Sequence, residues 1–347
     1  MRIAISAVQV PFIQGGAEIL SAGLVAALQR AGHEVEKITL PFRFAPISEV
    51  KRSMEIWSKE NFELLNGYAL DLVICLQFPS FYLQHPHKVA WLLHQHRAVY
   101  ELWNTAFTSG FSEQPEAQTL RLEIHQRDSE CLKTFKQVYT IAQTISDRLT
   151  YFNQIPSTPL YHPPKLADQF YTAPALPYIF FPSRLESLKR QDLLIQAMQF
   201  VKSPVVALIA GEGGQKNYLQ AMVENLNLKD KVRLIGRLND QEMLGVYACC
   251  LGVFFAPYQE DYGYVTLEAM LAAKPILTCT DSGGPLEFVI DGETGYILAP
   301  EPGAIAAAID NLYFQQQKAR KMGESGKARY QQLNISWDNV IQRLLFG

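Results

Sequence analysis

Leu251-Gly-Val-Phe-Phe-Ala-Pro257 is followed closely by Glu260-Asp-Tyr-Gly-Tyr-Val-Thr-Leu-Glu268 and then Ala-Met-Leu-Ala-Ala273. The first run is short and apolar, as a buried strand requires. The apolar stretch 265–273 predicts a helix, and the polar residues between them a loop. Strand, loop and helix in that order form the repeating unit of a parallel α/β sheet. The loop carries Glu260 and the first turns of the helix carry Glu268, with seven residues between the two acids. Gly263 lies between them, where the backbone can approach a ligand closely. A loop feeding a helix N-terminus presents unbonded N–H groups and a positive dipole end. One acid before that terminus and one just inside it suit a ligand with two polyhydroxyl ends joined by phosphate. A sugar nucleotide, built as hexose, diphosphate and ribose, is such a ligand.

The same alternation extends in both directions. The N-terminal part predicts a strand at 3–8, a turn at Gln14-Gly-Gly-Ala-Glu18, a helix to about Arg30 and a strand at 34–40, which is a βαβ unit. Further strands are expected at 70–76, 88–93 and 137–141, a charged, exposed helix at 120–135 and a short helix at 146–151. Pro156, Pro159, Pro163, Pro164, Pro174 and Pro177 then crowd one segment, which reads as linker chemistry. Beyond it the alternation restarts. Strands are expected at 178–182, 204–210, 232–235, 251–256 and 275–279, with helices at 191–200, 217–225 and 241–250 between them. The fold class is therefore α/β, with two Rossmann-like parallel-sheet domains. Their expected bounds are 1–165 for the first, 166–177 for the linker and 178–335 for the second. The amphipathic stretch 336–347 either caps the second domain or crosses back to the first.

Length and composition agree with this division. The 347 residues suffice for two cores, and 48% hydrophobic with 19% charged residues is ordinary for a globular protein. A formal net charge of −3 gives no broad basic field for nucleic acid. No apolar run approaches the roughly 18 residues of a membrane span, and the strand-like start at Met1-Arg-Ile-Ala-Ile-Ser6 leads us to expect no signal peptide. Cys75, Cys131, Cys249, Cys250 and Cys279 are odd in number and lack metal-ligand spacing, so reduced thiols and no metal site are expected. The expected location is cytoplasmic, with association at the inner face of the membrane left open.

Other candidate residues sit at strand ends. Arg184 and Lys189 follow the first strand of the second domain, where ligands of open α/β sheets bind. They are either surface cations or fixed charges for a departing diphosphate. Gly15 and Gly16 occupy the matching turn of the first domain, either as a plain helix start or as backbone N–H groups facing phosphate. The turn lacks a dinucleotide-binding glycine fingerprint. His94 follows the strand at 88–93 and is either structural or functional. Ser282-Gly-Gly-Pro-Leu-Glu287 could line a ligand site, whereas Asp291-Gly-Glu-Thr-Gly295 reads as a turn.

Taken in order, these residues resemble the retaining glycosyltransferases of the large group-1 family, also called family 4, with the GT-B fold. The resemblance runs over nearly the whole chain. It includes Gly15-Gly-Ala-Glu18, His94, Ile141-Ala-Gln-Thr-Ile-Ser-Asp-Arg-Leu149 and Leu160-Tyr-His-Pro-Pro164. It continues through Ser183-Arg-Leu185, Lys189, Gly236-Arg-Leu238, the Glu260–Glu268 stretch, Gly283-Gly-Pro-Leu-Glu287 and 291–295. It implies two domains facing across a cleft and a C-terminal helix that crosses back to the first domain. It implies that Arg184 and Lys189 hold the donor diphosphate and that Glu260 binds sugar hydroxyls. Backbone groups of Tyr262, Gly263, Tyr264 and Val265 would meet sugar and phosphate, and Glu268 the ribose. Arg237 and Leu238 would lie by the base, His94 by the donor sugar, and Gly15 and Gly16 by the diphosphate or acceptor. The implied activity is metal-independent hexose transfer with retention, in polysaccharide biosynthesis, onto a glycan or lipid-linked sugar. UDP-glucose is the first expectation for the donor and GDP-mannose the rival. The competing class is a non-catalytic nucleotide-sugar-binding protein. Asp261, where glycine is frequent, and Ser183, also a frequent glycine, depart from the family pattern.

Overall fold

Short apolar runs separated by amphipathic segments leave the chain one economical solution: strands paired in parallel, with helices covering both faces. The computed structural model describes residues 1–12, 15–108 and 110–347. Gln14 of the expected turn lies outside the described residues, as does Ser109. Among the described residues the chain forms two compact units, Met1–His162 with Ser336–Gly347, and Pro163–Ile335.

The first unit runs β1 (Arg2–Gln9), α1 (Gly16–Arg30), β2 (Glu34–Pro41), α2 (Ile47–Lys59), β3 (Leu64–Leu65), β4 (Tyr68–Ala69), β5 (Leu72–Cys75), β6 (Lys88–Leu92), α3 (Ala117–Leu132), β7 (Val138–Thr140), α4 (Gln143–Asn153) and β8 (Thr158–Pro159). Its sheet has the order β2-β1-β5-β6-β7-β8, parallel throughout, and β3 and β4 form a separate antiparallel pair. The helix α3 corrects one expectation. It carries charge, but Ala117, Leu120, Ile124, Asp128 and Leu132 are all buried, so it is half-buried rather than exposed. Their spacing of three or four residues puts them on one stripe, which faces the core.

The second unit runs β9 (Tyr178–Pro182), α5 (Gln191–Ala197), β10 (Val206–Ala210), α6 (Lys216–Asn225), β11 (Val232–Gly236), α7 (Asp240–Cys249), β12 (Gly252–Phe254), α8 (Tyr264–Leu271), β13 (Ile276–Cys279), α9 (Pro285–Phe288), β14 (Gly295–Leu298), α10 (Pro302–Phe314) and α11 (Gln316–Gln332). Its strand order is β11-β10-β9-β12-β13-β14, again with parallel pairs throughout. Every residue of β12 and β13 is buried, as strands covered on both faces must be. The last helix, α12 (Trp337–Phe346), belongs to the first unit and packs against α1.

The order of the second sheet explains where a ligand can sit. From β9 the chain winds outward through β10 to β11, then returns to the other side of β9 with β12. The loops leaving β9 and β12 therefore diverge and open a crevice at their carboxyl ends, the topological switch point of a doubly wound sheet. Lys189 lies in the first of those loops and Glu260 in the second.

Candidate functional site

After β9 the chain passes Arg184 and makes a single 3₁₀ turn over Ser187–Lys189 before α5 begins. Lys189 is largely buried, and its Nζ lies 2.6 Å from Glu260 Oε2. The same ammonium sits 5.7 Å from the centre of the Phe255 ring, within reach of a cation–π attraction. Two charges singled out in separate parts of the sequence are thus in direct contact. Arg184 is exposed, and its carbonyl oxygen accepts a hydrogen bond from Gln191 Nε2 at 2.8 Å. Among the described residues its guanidinium has no ion pair.

The loop bearing Glu260 is held by its neighbour. Glu260 N–H donates to the Ser282 carbonyl at 2.9 Å, and Gly284 N–H donates to the Glu260 carbonyl at 2.8 Å. Gly283 has φ +71, and a Cβ there would lie 2.5 Å from the Glu260 carbonyl oxygen. The Gly-Gly pair expected to line a ligand site therefore serves first as the surface against which the acidic loop is zipped. Further on, Gly263 takes φ +84 as it caps α8, so the expected helix begins one residue earlier than the sequence pattern indicated. Tyr262 is buried and packs edge-on against Tyr264 and Phe288. The first turn of α8, with Tyr264 and Val265, brings the positive end of the helix dipole to this loop.

Glu268 lies one turn into α8, half-buried. Tyr247 Oη, on α7, donates to its Oε2 at 2.6 Å. Burial pushes the Glu268 carboxyl above its ordinary range, while the Tyr247 bond pulls it back. The Tyr247 phenol is held well above its own range by burial and by the adjacent Glu268. Tyr247 was not singled out from sequence. Its signal was faint: a tyrosine inside an apolar helix needs a partner for its hydroxyl, but nothing in the spacing points to Glu268. Arg237 and Leu238 follow β11, with Arg237 exposed, and Asn239 caps α7 by accepting from the N–H groups of Gln241 and Glu242 at 3.0 Å.

In the first unit, Gly15 caps α1, and its N–H donates to Glu18 Oε2 at 2.7 Å. That bond occupies one of the N–H groups expected to face phosphate; Gly16 opens the helix itself. His94 is half-buried just after β6, its Nδ1 2.6 Å from the Gln95 carbonyl oxygen, so Nδ1 donates to it. Its neighbour His96 is fully buried, stacked on Phe78 with ring centres 5.2 Å apart, and burial lowers it to about 4. Asp291 accepts from the Ile297 N–H at 2.9 Å, so the segment at 291–295 is the expected turn. The five cysteines are free thiols. Among the described residues no group of three or more His, Cys, Asp or Glu is placed to hold a metal ion, and no helix is long and apolar enough to cross a membrane.

Residues 168–329 match the family model described as glycosyl transferases group 1. An alpha-1,3/1,6-mannosyltransferase of Dictyostelium discoideum is 33% identical over 127 residues, 34% of this chain and 30% of that protein. The matched stretch thus spans less than a third of that relative's length. An N-acetyl-alpha-D-glucosaminyl L-malate synthase of Bacillus anthracis is 23% identical over 90% of this chain and 88% of its own. Among solved structures, Anabaena HepE in complex with UDP and glucose superposes with a TM-score of 0.72 at 17% identity, covering 99% of this chain and 98% of that one. A likeness of that extent establishes the two-domain GT-B fold.

Proposed function

From the match of residues 168–329 to the group 1 glycosyl transferase model, we propose that this chain is such an enzyme and transfers a hexose from a nucleoside diphosphate sugar to a hydroxyl of a glycan or lipid-linked sugar. The observation that carries the proposal is the joining of Lys189 and Glu260 at the carboxyl ends of β9 and β12. A cation meant for a diphosphate and an acid meant for a sugar must lie side by side, because the two parts of the donor are covalently joined there. Glu268, held by Tyr247 through one oxygen, has the other for the ribose diol.

In the proposed reaction the bond between the anomeric carbon and the donor phosphate oxygen breaks as the acceptor hydroxyl attacks from the same face. The departing phosphate oxygen takes the acceptor proton. Negative charge grows on the diphosphate, and Lys189 and Arg184 stabilise it electrostatically. In this reading the two cations do the work that a metal ion does in other transferases, and no cofactor is required. Glu260 keeps the developing positive charge of the sugar ring close to a carboxylate while accepting from its hydroxyls. Backbone N–H groups of Tyr262, Gly263, Tyr264 and Val265 meet the sugar and phosphates, and Arg237 with Leu238 the base. For His94, Gly15 and Gly16 the proposal is ligand contact at the strand ends of the first unit.

UDP-glucose is the proposed donor; the solved neighbour that holds UDP and glucose supports it. GDP-mannose is the second reading, supported by the mannosyltransferase relative and by Glu260-Asp-Tyr-Gly263, a form of the motif that also resembles mannosyl transferases. Incubating the protein with each sugar nucleotide and following release of nucleoside diphosphate separates them. Glu260→Gln then separates catalysis from mere binding. It is expected to abolish release while leaving affinity for free nucleoside diphosphate within a few-fold. A protein that binds both compounds and turns over neither, with any acceptor glycan, is a binding protein instead.

A further inference from the structure

The residue after Lys189 is Arg190, and it makes the densest set of polar contacts near the site. It adopts a left-handed backbone, φ +56, at the junction between the 3₁₀ turn and α5. Its side chain is largely buried at 13% exposure. Nε donates to the Ala256 carbonyl at 2.7 Å, and Nη2 donates to the Pro257 carbonyl at 3.2 Å. Nη1 and Nη2 also form a fork onto Asp281, at 2.8 Å to Oδ2 and 2.6 Å to Oδ1. One guanidinium thus links the loop after β9 to the loop after β12 and to the loop after β13.

Those three loops carry the candidate site. Lys189 is the adjacent residue on the first. Ala256 and Pro257 begin the second, which reaches Glu260 three residues later. Asp281 opens the third, whose Ser282 and Gly284 bond to the Glu260 backbone, and whose Asp281 carbonyl accepts from the Gln259 N–H at 3.0 Å. Asp281 therefore holds the acidic loop with its main chain while its side chain holds Arg190. Gln259 is itself in a left-handed conformation, φ +48, so the loop needs external support to keep its path.

We propose that Arg190 is a positioning residue for sugar transfer: with Asp281 it fixes the β12 loop relative to the β9 loop and so sets Glu260 against Lys189. This rests on the functional reading given above. Lysine cannot replace it, because an ammonium is a point charge without the planar fork that reaches a carboxylate and two carbonyls together. A residue that served stability alone would lower the melting temperature and leave the two acids' ligand chemistry unchanged in the folded fraction. A positioning residue acts through Glu260, and its loss has no further effect once Glu260 is gone.

The test uses the full chain with Arg190→Lys and, as a second variant, Asp281→Asn. Amide hydrogen exchange reads the loop directly. Exchange at Gln259, Glu260 and Gly284 is expected to rise roughly tenfold or more in both variants, with amides of β10 unchanged, since local opening tracks the bonds that close the loop. Unchanged exchange at these three positions in both variants overturns the proposal whatever the protein's activity. Binding of UDP-glucose and of GDP-mannose is then titrated for Arg190→Lys, Glu260→Gln and the double variant. Arg190→Lys is expected to weaken the preferred compound roughly tenfold alone and less than twofold in the Glu260→Gln background, the non-additivity of coupled residues. Full additivity overturns positioning through Glu260. If Lys189→Ala and Glu260→Gln leave both compounds' binding untouched while loop exchange still rises, the functional reading fails and the clasp itself stands.

Discussion

Tyr247→Phe is the most informative single change, because it removes one oxygen atom and little else. The ring is fully buried, edge-on to Phe170 and Phe180 at 5.4 and 5.0 Å, and a phenylalanine keeps both contacts. What is lost is a short hydrogen bond to a carboxylate, at 2.6 Å. Hydrogen bonds to charged groups contribute about 1.5–3 kcal/mol. If Glu268 receives the ribose, losing its orientation should weaken nucleoside diphosphate binding by roughly one to two orders of magnitude at most. The pH dependence is the sharper signature. Burial already raises the Glu268 carboxyl and Tyr247 lowers it. Ribose hydroxyls donate more strongly to the ionised form than to the protonated one, so affinity should hold above the carboxyl's raised value and fall as pH drops through it. Without Tyr247 that value rises further, and the acid limb of the binding curve should move to higher pH. Calorimetric titration with UDP from about pH 4, near the ordinary glutamate value, to about pH 8 checks both expectations. Unchanged affinity together with an unmoved acid limb would refute the assignment of Glu268 to the ribose.

Other expectations follow from the same geometry. Lys189→Ala and Arg184→Ala should each lower kcat/KM by about 10²–10³, as removal of a fixed electrostatic donor does; losses below about threefold in both would reject their role. Turnover should survive saturating EDTA if the two cations carry the diphosphate charge, and abolition reversed by manganese would contradict it. In the first unit, Asp128 is fully buried and receives hydrogen bonds from Tyr82 at 2.6 Å and Tyr100 at 2.7 Å, yet burial raises it to about 7. An acid raised on folding costs stability as it ionises. Thermal stability of the first unit should therefore decline as pH rises from about 4 to about 7, the interval between the unfolded and folded values. Asp128→Asn should flatten that decline, and a slope unaltered in the variant would show that another group causes it.

Much of the fold was legible because its strands are apolar runs and its amphipathic helices separate them. The strand Tyr178–Pro182 and the helix Trp337–Phe346 stand where the pattern put them. Other segments were silent for physical reasons. The helix Gln316–Gln332 is strongly polar, and its buried stripe of Ala319, Met322, Gly323, Gly326 and Tyr330 includes two glycines, so it is faint in the sequence. The helix Ile47–Lys59 was overlooked although Ile47, Val50, Met54 and Trp57 lie on one face; the resemblance offered no motif there. At the site, charged residues at strand ends were readable one by one. Their partners were not. The Lys189–Glu260 contact spans 71 residues, and the Arg190–Asp281 fork spans 91. Such pairs are set by strand order, and a switch between β9 and β12 leaves no local mark in the sequence.

The central claim is that the carboxyl ends of β9 and β12 receive a nucleoside diphosphate. Calorimetric titration of the intact protein with UDP and with GDP tests it most directly. The account predicts saturable binding of one UDP per chain, at least about tenfold tighter than GDP because unpaired groups of the wrong base cost about 1–3 kcal/mol each. It further predicts that the binding is weakened by Lys189→Ala and by Glu268→Gln. A preference for GDP would transfer the proposal to GDP-mannose. Absence of binding by either nucleotide, or binding indifferent to both substitutions, would contradict it.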